Sequence, residues 1–343
     1  MKVYLHSGFE KQIAKSGVGR AIKHQMMALE SVGIEYTLDS ESEYTLAHIN
    51  TIFPESFMLA MRCKEAKIPV VYHAHSTEED FKDSFVGSNT VAPLFKQWLI
   101  ACYNSGQIVI TPTEYSKKLI LNYGLKVPVE VVSNGIDLNF WHATDDEVKN
   151  FRSTLGLKPD DKMILAVGLP IKRKGILDYI ELAKRMPDYK FYWFGQIDEF
   201  LLPIDIRNKI KERPNNLYMP GYIDREKIRI AYKAANVYLF PTHEETEGIV
   251  LLEALASRTP TVIRDIPIYK DWFQNGENIY KANTVDDFEN IIKKIINKEL
   301  PDLTEAGYNK AAEKRIENIG QRLISVYEKA IALKEEEIGL NLF

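Results

Sequence analysis

The sequence predicts an α/β protein of two successive units, each a parallel sheet covered by helices. Three observations lead there. The chain has 343 residues, too many for one ordinary domain and comfortable for two of about 150 residues each. Short runs rich in β-branched and aromatic residues alternate with helical patterns along most of it, the rhythm of strands joined by crossover helices. A polar, glycine-containing turn from Asn134 to Asp145 separates one such series from a second.

In the first series, the segments starting at Val3 (VYLH), Ile34 (IEYTL), Leu46 (LAHIN), Val70 (VVYHAH), Gln107 (QIVIT) and Val129 (VEVVS) read as strands, with a helix from Val18 to about Val32. The second series runs through segments at Met163 (MILAVG), Lys190 (KFYWFG), Asn216 (NLYMPG), Asn236 (NVYLF) and Pro260 (PTVI), with a helix from Gly175 to Arg185. Helical segments follow at Val285–Asn297, Pro301–Lys314 and Ile319–Glu337. In the last of them Leu323, Ile324, Tyr327 and Ile331 recur at three- and four-residue spacing and make one apolar face. The expected division is therefore 1–140 for a first domain and 141–318 for a second, with a C-terminal helix over 319–343 packing back on the first. Ligands are expected in the cleft between halves, where strand carboxyl ends and helix amino termini converge.

Composition narrows the function. Hydrophobic residues make up 45% and charged residues 27%, so the chain can bury a core and is not a disordered one. A formal charge of −4 argues against a nucleic-acid partner, which would call for a cationic surplus. The two cysteines, Cys63 and Cys102, lie far apart and outside any Cys-x-x-Cys spacing, so neither a disulfide framework nor a zinc site is indicated. No run approaches the roughly 20 apolar residues of a membrane span, and the first strand starts without a charged stub and long apolar run before it. A soluble, cytoplasmic protein is expected, one that would touch a membrane only peripherally, from its cytoplasmic face.

The most informative segment is Phe240-Pro-Thr-His-Glu-Glu-Thr-Glu-Gly-Ile-Val-Leu-Leu-Glu-Ala-Leu-Ala, which ends a strand and opens a helix. Glu245 sits in the loop and Glu253 eight residues on, inside the helix. With 48 acidic residues, roughly half a dozen acidic pairs at this spacing arise by chance, so the spacing alone says little. Its surroundings say more. The pair brackets Gly248, where backbone can come close to a ligand, and the amides of Ile249 and Val250 that open the helix offer about half a positive charge to a phosphate. Carboxylates nearby suit the hydroxyls of a sugar and a ribose.

A strand, Pro241, a short loop, then Glu-x7-Glu with a glycine three residues after the first glutamate resembles family 4 of the retaining glycosyltransferases. The resemblance implies two Rossmann-like domains facing across a cleft, the GT-B fold. It assigns Glu245 to the donor sugar and Glu253 to the ribose hydroxyls of the nucleotide; the bland alternative is two solvated surface acids. Further matches run through most of the chain. Ser16-Gly17-Val18-Gly19-Arg20 resembles the family's glycine-rich loop near the donor phosphates, though a plain tight turn reads equally well, and a dehydrogenase loop would follow the strand at once and carry glycine where Ile22 stands. His75 matches the histidine placed beside the donor sugar; against this stands a structural histidine. His73 shares its strand face, but no third ligand is apparent for a metal. Val132-Ser-Asn134-Gly135-Ile-Asp137 matches the interdomain Asn-Gly-Val-Asp turn, where hinge geometry competes with donor contact as Asn134's role. Gly168-Leu-Pro-Ile-Lys-Arg173-Lys174-Gly175 corresponds to the segment whose arginine and lysine grip the diphosphate. Here the arginine usual directly after Gly168 is Leu169, so Arg173 is expected to supply that charge beside Lys174. Arg258 is a second departure, standing where the family often has glycine.

The resemblance also implies the reaction. Negative charge develops on the departing nucleotide diphosphate and needs a cationic, amide-rich cradle, supplied by Lys174, Arg173 and the helix start at Gly248. No nucleophilic carboxylate pair of the glycosidase kind is evident, so attack on the same face of the sugar is favoured, with His75 and Glu245 positioning it. No Asp-x-Asp occurs, and no essential metal or other cofactor is expected.

The acceptor is less well marked. Thr90–Tyr103 carries an apolar stripe of Leu94, Phe95, Trp98, Leu99 and Cys102, readable as a core helix or, with Lys96, Lys117 and Lys118, as a helix dipping into lipid headgroups. Whole-chain resemblance points to bacterial members that add a second sugar to monoglycosyl-diacylglycerol, which implies a UDP-hexose donor, glucose or galactose, and a membrane glycolipid acceptor. Polysaccharide or small-glycoside acceptors, a nucleotide-sugar epimerase and a non-catalytic nucleotide-sugar sensor are the rival readings.

Overall fold

The structure is a computed structural model that describes residues 1–8 and 17–340. Twelve strands among them form two six-stranded sheets. The first takes β1 (Lys2–His6), β2 (Glu35–Thr37), β3 (Leu46–Ile49), β4 (Val70–His73), β5 (Ile108–Thr111) and β6 (Val129–Val131) in the order β2-β1-β3-β4-β5-β6. The second takes β7 (Met163–Val167), β8 (Lys190–Phe194), β9 (Leu217–Gly221), β10 (Val237–Phe240), β11 (Thr261–Arg264) and β12 (Tyr280–Ala282) in the order β12-β11-β10-β7-β8-β9. Every pairing is parallel.

Helices cover both sheets, so the central strands are buried on both faces and read as continuous apolar runs rather than alternating ones: β3, β4, β5, β10 and β11 are buried at every position. The strand β12 was not expected from the sequence. Its three residues, Tyr-Lys-Ala, include no β-branched side chain, whereas the equally short β2 and β6 do.

Helix starts follow their capping chemistry. Thr113, Thr144 and Thr284 each accept a hydrogen bond from the backbone amide three residues on, with Ser116, Glu147 and Asp287 reaching back to complete the box. The helix Asp145–Thr154 buries no residue fully, so its cap and the ion pair of Glu147 with Arg229 at 2.6 Å count for more than in a core helix.

Contacts divide the chain into two compact units. The first comprises Met1–Glu78, Thr90–Ile136 and Lys314–Phe343, and the second Glu79–Asn89 and Asp137–Glu313. The inclusion of Glu79–Asn89 in the second unit has no counterpart in the sequence pattern, because a short excursion carries neither a strand nor a long apolar helix. Within the first unit the helix Ile316–Leu340 lies on the helix Gly17–Ser31. Ile316, Ile319, Leu323, Val326, Tyr327 and Ala330 join Val3, Leu5, Ala28, Leu29 and Val71 in one core. A Cβ on Gly320 would stand 2.4 Å from the carbonyl oxygen of Ala28, so the two backbones meet where only glycine fits.

The helix Ser88–Tyr103 divides the expected apolar stripe. Leu99 and Cys102 are buried, but Leu94 is 74% exposed. Trp98 faces inward: its indole Nε1–H donates to Ile52 O at 2.6 Å and its ring packs 5.4 Å from Phe57. Lys96 pairs with Glu78 at 3.3 Å and lies over the Tyr123 ring. Trp98 and Lys96 are thus tied by these contacts to other residues of this unit. Among the described residues no helix is long and apolar enough to cross a membrane.

Candidate active site

In the second sheet the chain leaves β7 toward β8 on one side and later returns to place β10 on the other. In such a sheet, ligands bind outside the carboxyl ends of the two strands where the order reverses. The segments that follow β7 and β10 are those expected to bind a nucleotide diphosphate.

After β7 the chain passes Gly168 and a single 3₁₀ turn, Lys172–Lys174, and then turns through Gly175 in the left-handed region, φ +79°, into the helix Ile176–Arg185. A Cβ on Gly175 would lie 2.3 Å from the carbonyl oxygen of Pro241. That contact presses the first loop against the loop after β10 and brings Lys174 to Glu245, with which it forms an ion pair. Both side chains are largely buried, 17% and 8% exposed. Burial pushes the Lys174 ammonium below its ordinary range, more strongly than the adjacent Glu245 carboxylate raises it.

Arg173 braces the same loops. Its Nε donates to Ser84 Oγ at 3.0 Å and its Nη1 to Glu244 O at 2.8 Å, while His243 N donates to Arg173 O at 2.8 Å. Lys172 pairs with Asp83 at 3.1 Å. Asp83 and Ser84 carry no local signal in the sequence, since they lie 89 residues from their partners. A further brace lies behind the β10 loop. Arg264 of β11 bonds Asp178 and donates to Pro241 O at 3.0 Å, and His243 Nε2 stands 3.2 Å from Asp178. Burial raises the Asp178 carboxyl, but His243 and Arg264 outweigh it and hold its pKa below the usual carboxylate value.

Gly248 precedes the helix Ile249–Ala256 with φ +89°, and a Cβ there would stand 2.6 Å from the Tyr269 hydroxyl. That hydroxyl donates to Glu247 O at 2.9 Å and so pins the loop at the point where the amides of Ile249 and Val250 open the helix. Glu253 is fully buried one turn further on, and the Tyr232 hydroxyl donates to its Oε2 at 3.0 Å. Tyr232 and Tyr269 escaped the sequence reading because a buried tyrosine in an apolar run looks like core until its hydroxyl has a partner. Behind β7, Gly168 O accepts the indole N–H of Trp193 at 2.8 Å. The second unit thus gathers Gly168, Arg173, Lys174, Glu245, Gly248, Ile249, Val250 and Glu253 along two adjoining loops and one helix start.

The remaining expected residues belong to the first unit. Gly17 and Gly19 form the first turn of the helix Gly17–Ser31, while Ser16 of the same loop lies outside the described residues. Asn134 is buried in the turn after β6, next to Gly135, whose N–H donates to Ser133 Oγ at 3.1 Å. His75 lies two residues beyond β4. Its ring stacks on His73 with centroids 3.8 Å apart, and its Nε2 is 3.0 Å from Asn50 Oδ1. Burial pushes the His75 imidazole down to about 3, so it is neutral at physiological pH.

Comparison with known proteins agrees with this picture. The chain matches the family model for glycosyl transferases group 1 over residues 147–315 and that for glycosyltransferase family 4 over residues 20–140. It is 41% identical to a processive diacylglycerol alpha-glucosyltransferase of Acholeplasma laidlawii over 97% of this chain and 100% of that one. It is 26% identical to an alpha-galactosylglucosyldiacylglycerol synthase of Streptococcus pneumoniae, over 97% of this chain and 91% of the relative. Among solved structures, HepE of Anabaena in complex with UDP and glucose superposes with a TM-score of 0.77 at 16% identity, covering 96% of this chain and all of that one. Sucrose-phosphate synthase of Thermosynechococcus elongatus gives 0.78 at 17% identity over 97% and 99%. At such identities these two establish the fold, two parallel-sheet domains of GT-B type.

Proposed function

The chain belongs to the family 4 glycosyltransferases, and from that premise we propose that it moves a hexose from a UDP-sugar to a membrane glycolipid, with retention at the anomeric carbon. The observation that carries the reading is the buried Lys174–Glu245 pair at the carboxyl ends of β7 and β10. The acceptor is monoglycosyl-diacylglycerol, supported by the match to glycolipid-forming enzymes over nearly the whole of this chain and of theirs. Peripheral contact with a membrane follows from an acceptor whose acyl chains stay in the bilayer, and we place that work at its cytoplasmic face.

The residues divide the task by charge. As the bond between anomeric carbon and diphosphate breaks, its electron pair goes to the phosphate oxygen, and Lys174, Arg173 and the amides of Ile249 and Val250 stabilise that charge. The family has no need of a bound metal in this scheme, because fixed cations and helix amides supply the positive charge. Glu245 accepts a hydrogen bond from a hydroxyl of the sugar, and Glu253, held by Tyr232, accepts from the ribose. His75 is assigned to another sugar hydroxyl, Gly17 and Gly19 to the phosphates, and Asn134 to the donor or to the hinge. The acceptor hydroxyl attacks from the face the diphosphate leaves, and its proton passes to the departing phosphate oxygen.

The test is nucleotide-diphosphate release from UDP-glucose, UDP-galactose and GDP-mannose, with and without liposomes containing diacylglycerol or monoglucosyl-diacylglycerol, beside a Glu245→Ala control. Release that depends on a UDP-hexose and on the glycolipid, and vanishes in the variant, is expected. Donor binding without turnover on any acceptor would instead make the protein a sensor, and isomerised donor without acceptor an epimerase.

A further inference from the structure

His75 sits at the end of a buried chain of polar side chains that the reaction scheme does not use. Asn50 follows β3, beside the point where the order of the first sheet reverses between β1 and β3. Gln25, on the helix Gly17–Ser31, places its Nε2 2.7 Å from Asn50 Oδ1 and 2.8 Å from His73 Nδ1. His48 Nε2 is 3.3 Å from the same His73 nitrogen, and His48 Nδ1 is 2.7 Å from the hydroxyl of Tyr327. Gln25, Asn50, His48, His73 and Tyr327 are all 2% exposed or less.

Only one direction of donation satisfies the Tyr327 end. Burial pushes the Tyr327 phenol far above its ordinary value, so it keeps its proton and must find an acceptor. Among the described residues its hydrogen-bond partner is His48 Nδ1. The proton of His48 then sits on Nε2 and points at His73 Nδ1, whose single lone pair is shared between it, at 3.3 Å, and the Gln25 amide, at 2.8 Å. With its amino group so committed, Gln25 donates its second N–H to Asn50 Oδ1. That leaves a carbonyl oxygen facing His75 Nε2, which must therefore carry hydrogen. Either arrangement leaves the second amide atoms of Gln25 and Asn50 and the Nε2 of His73 without a partner among the described residues; the reverse one, with both amides turned, strands the phenolic proton as well.

We propose that Asn50 is a positioning residue for His75: its side-chain carbonyl, held by Gln25, accepts the Nε2–H of His75 and fixes the tautomer in which Nδ1 is an acceptor for a sugar hydroxyl. The stack on His73 fixes the ring plane and Asn50 its rotation. The catalytic consequence rests on the reading that His75 addresses the donor sugar; the tautomer does not.

Long-range proton–nitrogen correlation spectra of the full-length protein, labelled with 15N-histidine, read the tautomer directly. Steady-state rates with UDP-glucose and monoglucosyl-diacylglycerol in mixed micelles read its effect. In the unsubstituted protein His75 should show hydrogen on Nε2 alone. Asn50→Ala should mix the tautomers and lower kcat about 10–100-fold, by analogy with removing a group that orients a metal-ligating histidine, with KM for the glycolipid unchanged. Asn50→Asp keeps the shape and adds a charge that favours imidazolium. Its kcat/KM should therefore be low in acid and rise through neutral pH, where the unsubstituted enzyme is flat. It carries the test alone if Asn50→Ala fails to fold. Hydrogen on Nδ1 of His75 in the unsubstituted protein, or an Asn50→Asp variant with unaltered spectra and a flat profile, overturns the proposal. If His75→Ala retains full activity while the tautomer is as stated, the sugar-binding reading of His75 falls and the Asn50 contact stands.

Discussion

At the scale of single residues, Lys174 shows how burial and charge compete. An ammonium with 17% of its side chain exposed loses hydration that one carboxylate replaces only in part, so its pKa falls. The sign of the pH effect follows. Lys174 is cationic below its lowered pKa and loses its charge as pH rises through it, so kcat/KM should decline on the alkaline side at a pH below the 10.5 of a free lysine. In Lys174→Arg the guanidinium keeps its charge over that range, and the alkaline decline should move out of view even if the maximal rate is lower. Lys174→Ala should reduce kcat by on the order of a hundredfold, about 3 kcal/mol, by analogy with loss of one preorganised oxyanion donor. A rate within threefold of the parent would remove Lys174 from the phosphate cradle.

Among elements, the loop–loop contact at Gly175 is the part on which the site most depends. Alanine at φ +79° costs about 1–2 kcal/mol in backbone conformation alone, and its Cβ would also have to displace the Pro241 carbonyl 2.3 Å away. Gly175→Ala should therefore lower stability by at least about 2 kcal/mol in urea titration. It should cut activity further than that loss explains, because the separation falls between Lys174 and Glu245. The residues of these loops were legible in the sequence: strand, loop, Glu-x7-Glu and Lys174-Gly175 all stand in order. Their supports were not. Ser84 and Asp83 reach Arg173 and Lys172 from 89 residues away, and Asn50 reaches His75 from 25, distances over which hydrophobic periodicity carries no information.

For the whole chain, the C-terminal helix decides whether the first unit can exist. Burying Ile316, Ile319, Leu323, Val326 and Tyr327 stabilises that core by roughly 10 kcal/mol at about 1.5–3 kcal/mol each. A typical domain's entire net stability is about 5–15 kcal/mol. A chain ending at Glu313 should accordingly lose hydrogen-exchange protection in β1, β3, β4 and β5 while β7, β8, β10 and β11 keep theirs. Equal protection in both sheets would show that the first unit folds without its last helix.

By itself the sequence determined the fold class, because fully buried parallel strands need continuous apolar runs and their crossovers need helices between them; the central strands announce themselves in this way, and eleven of the twelve fall on segments rich in β-forming residues. It also placed Glu245 and Glu253 on a strand–loop–helix junction, since the motif is local. Tertiary structure alone decided which charges meet. It paired Lys174 with Glu245 across 71 residues, turned Trp98 inward to Ile52, and set His75 against Asn50 and His73, both of them held by Gln25. Those outcomes depend on where helices and loops land on a sheet, and the pattern of apolar residues fixes that a side chain is buried without fixing beside whom.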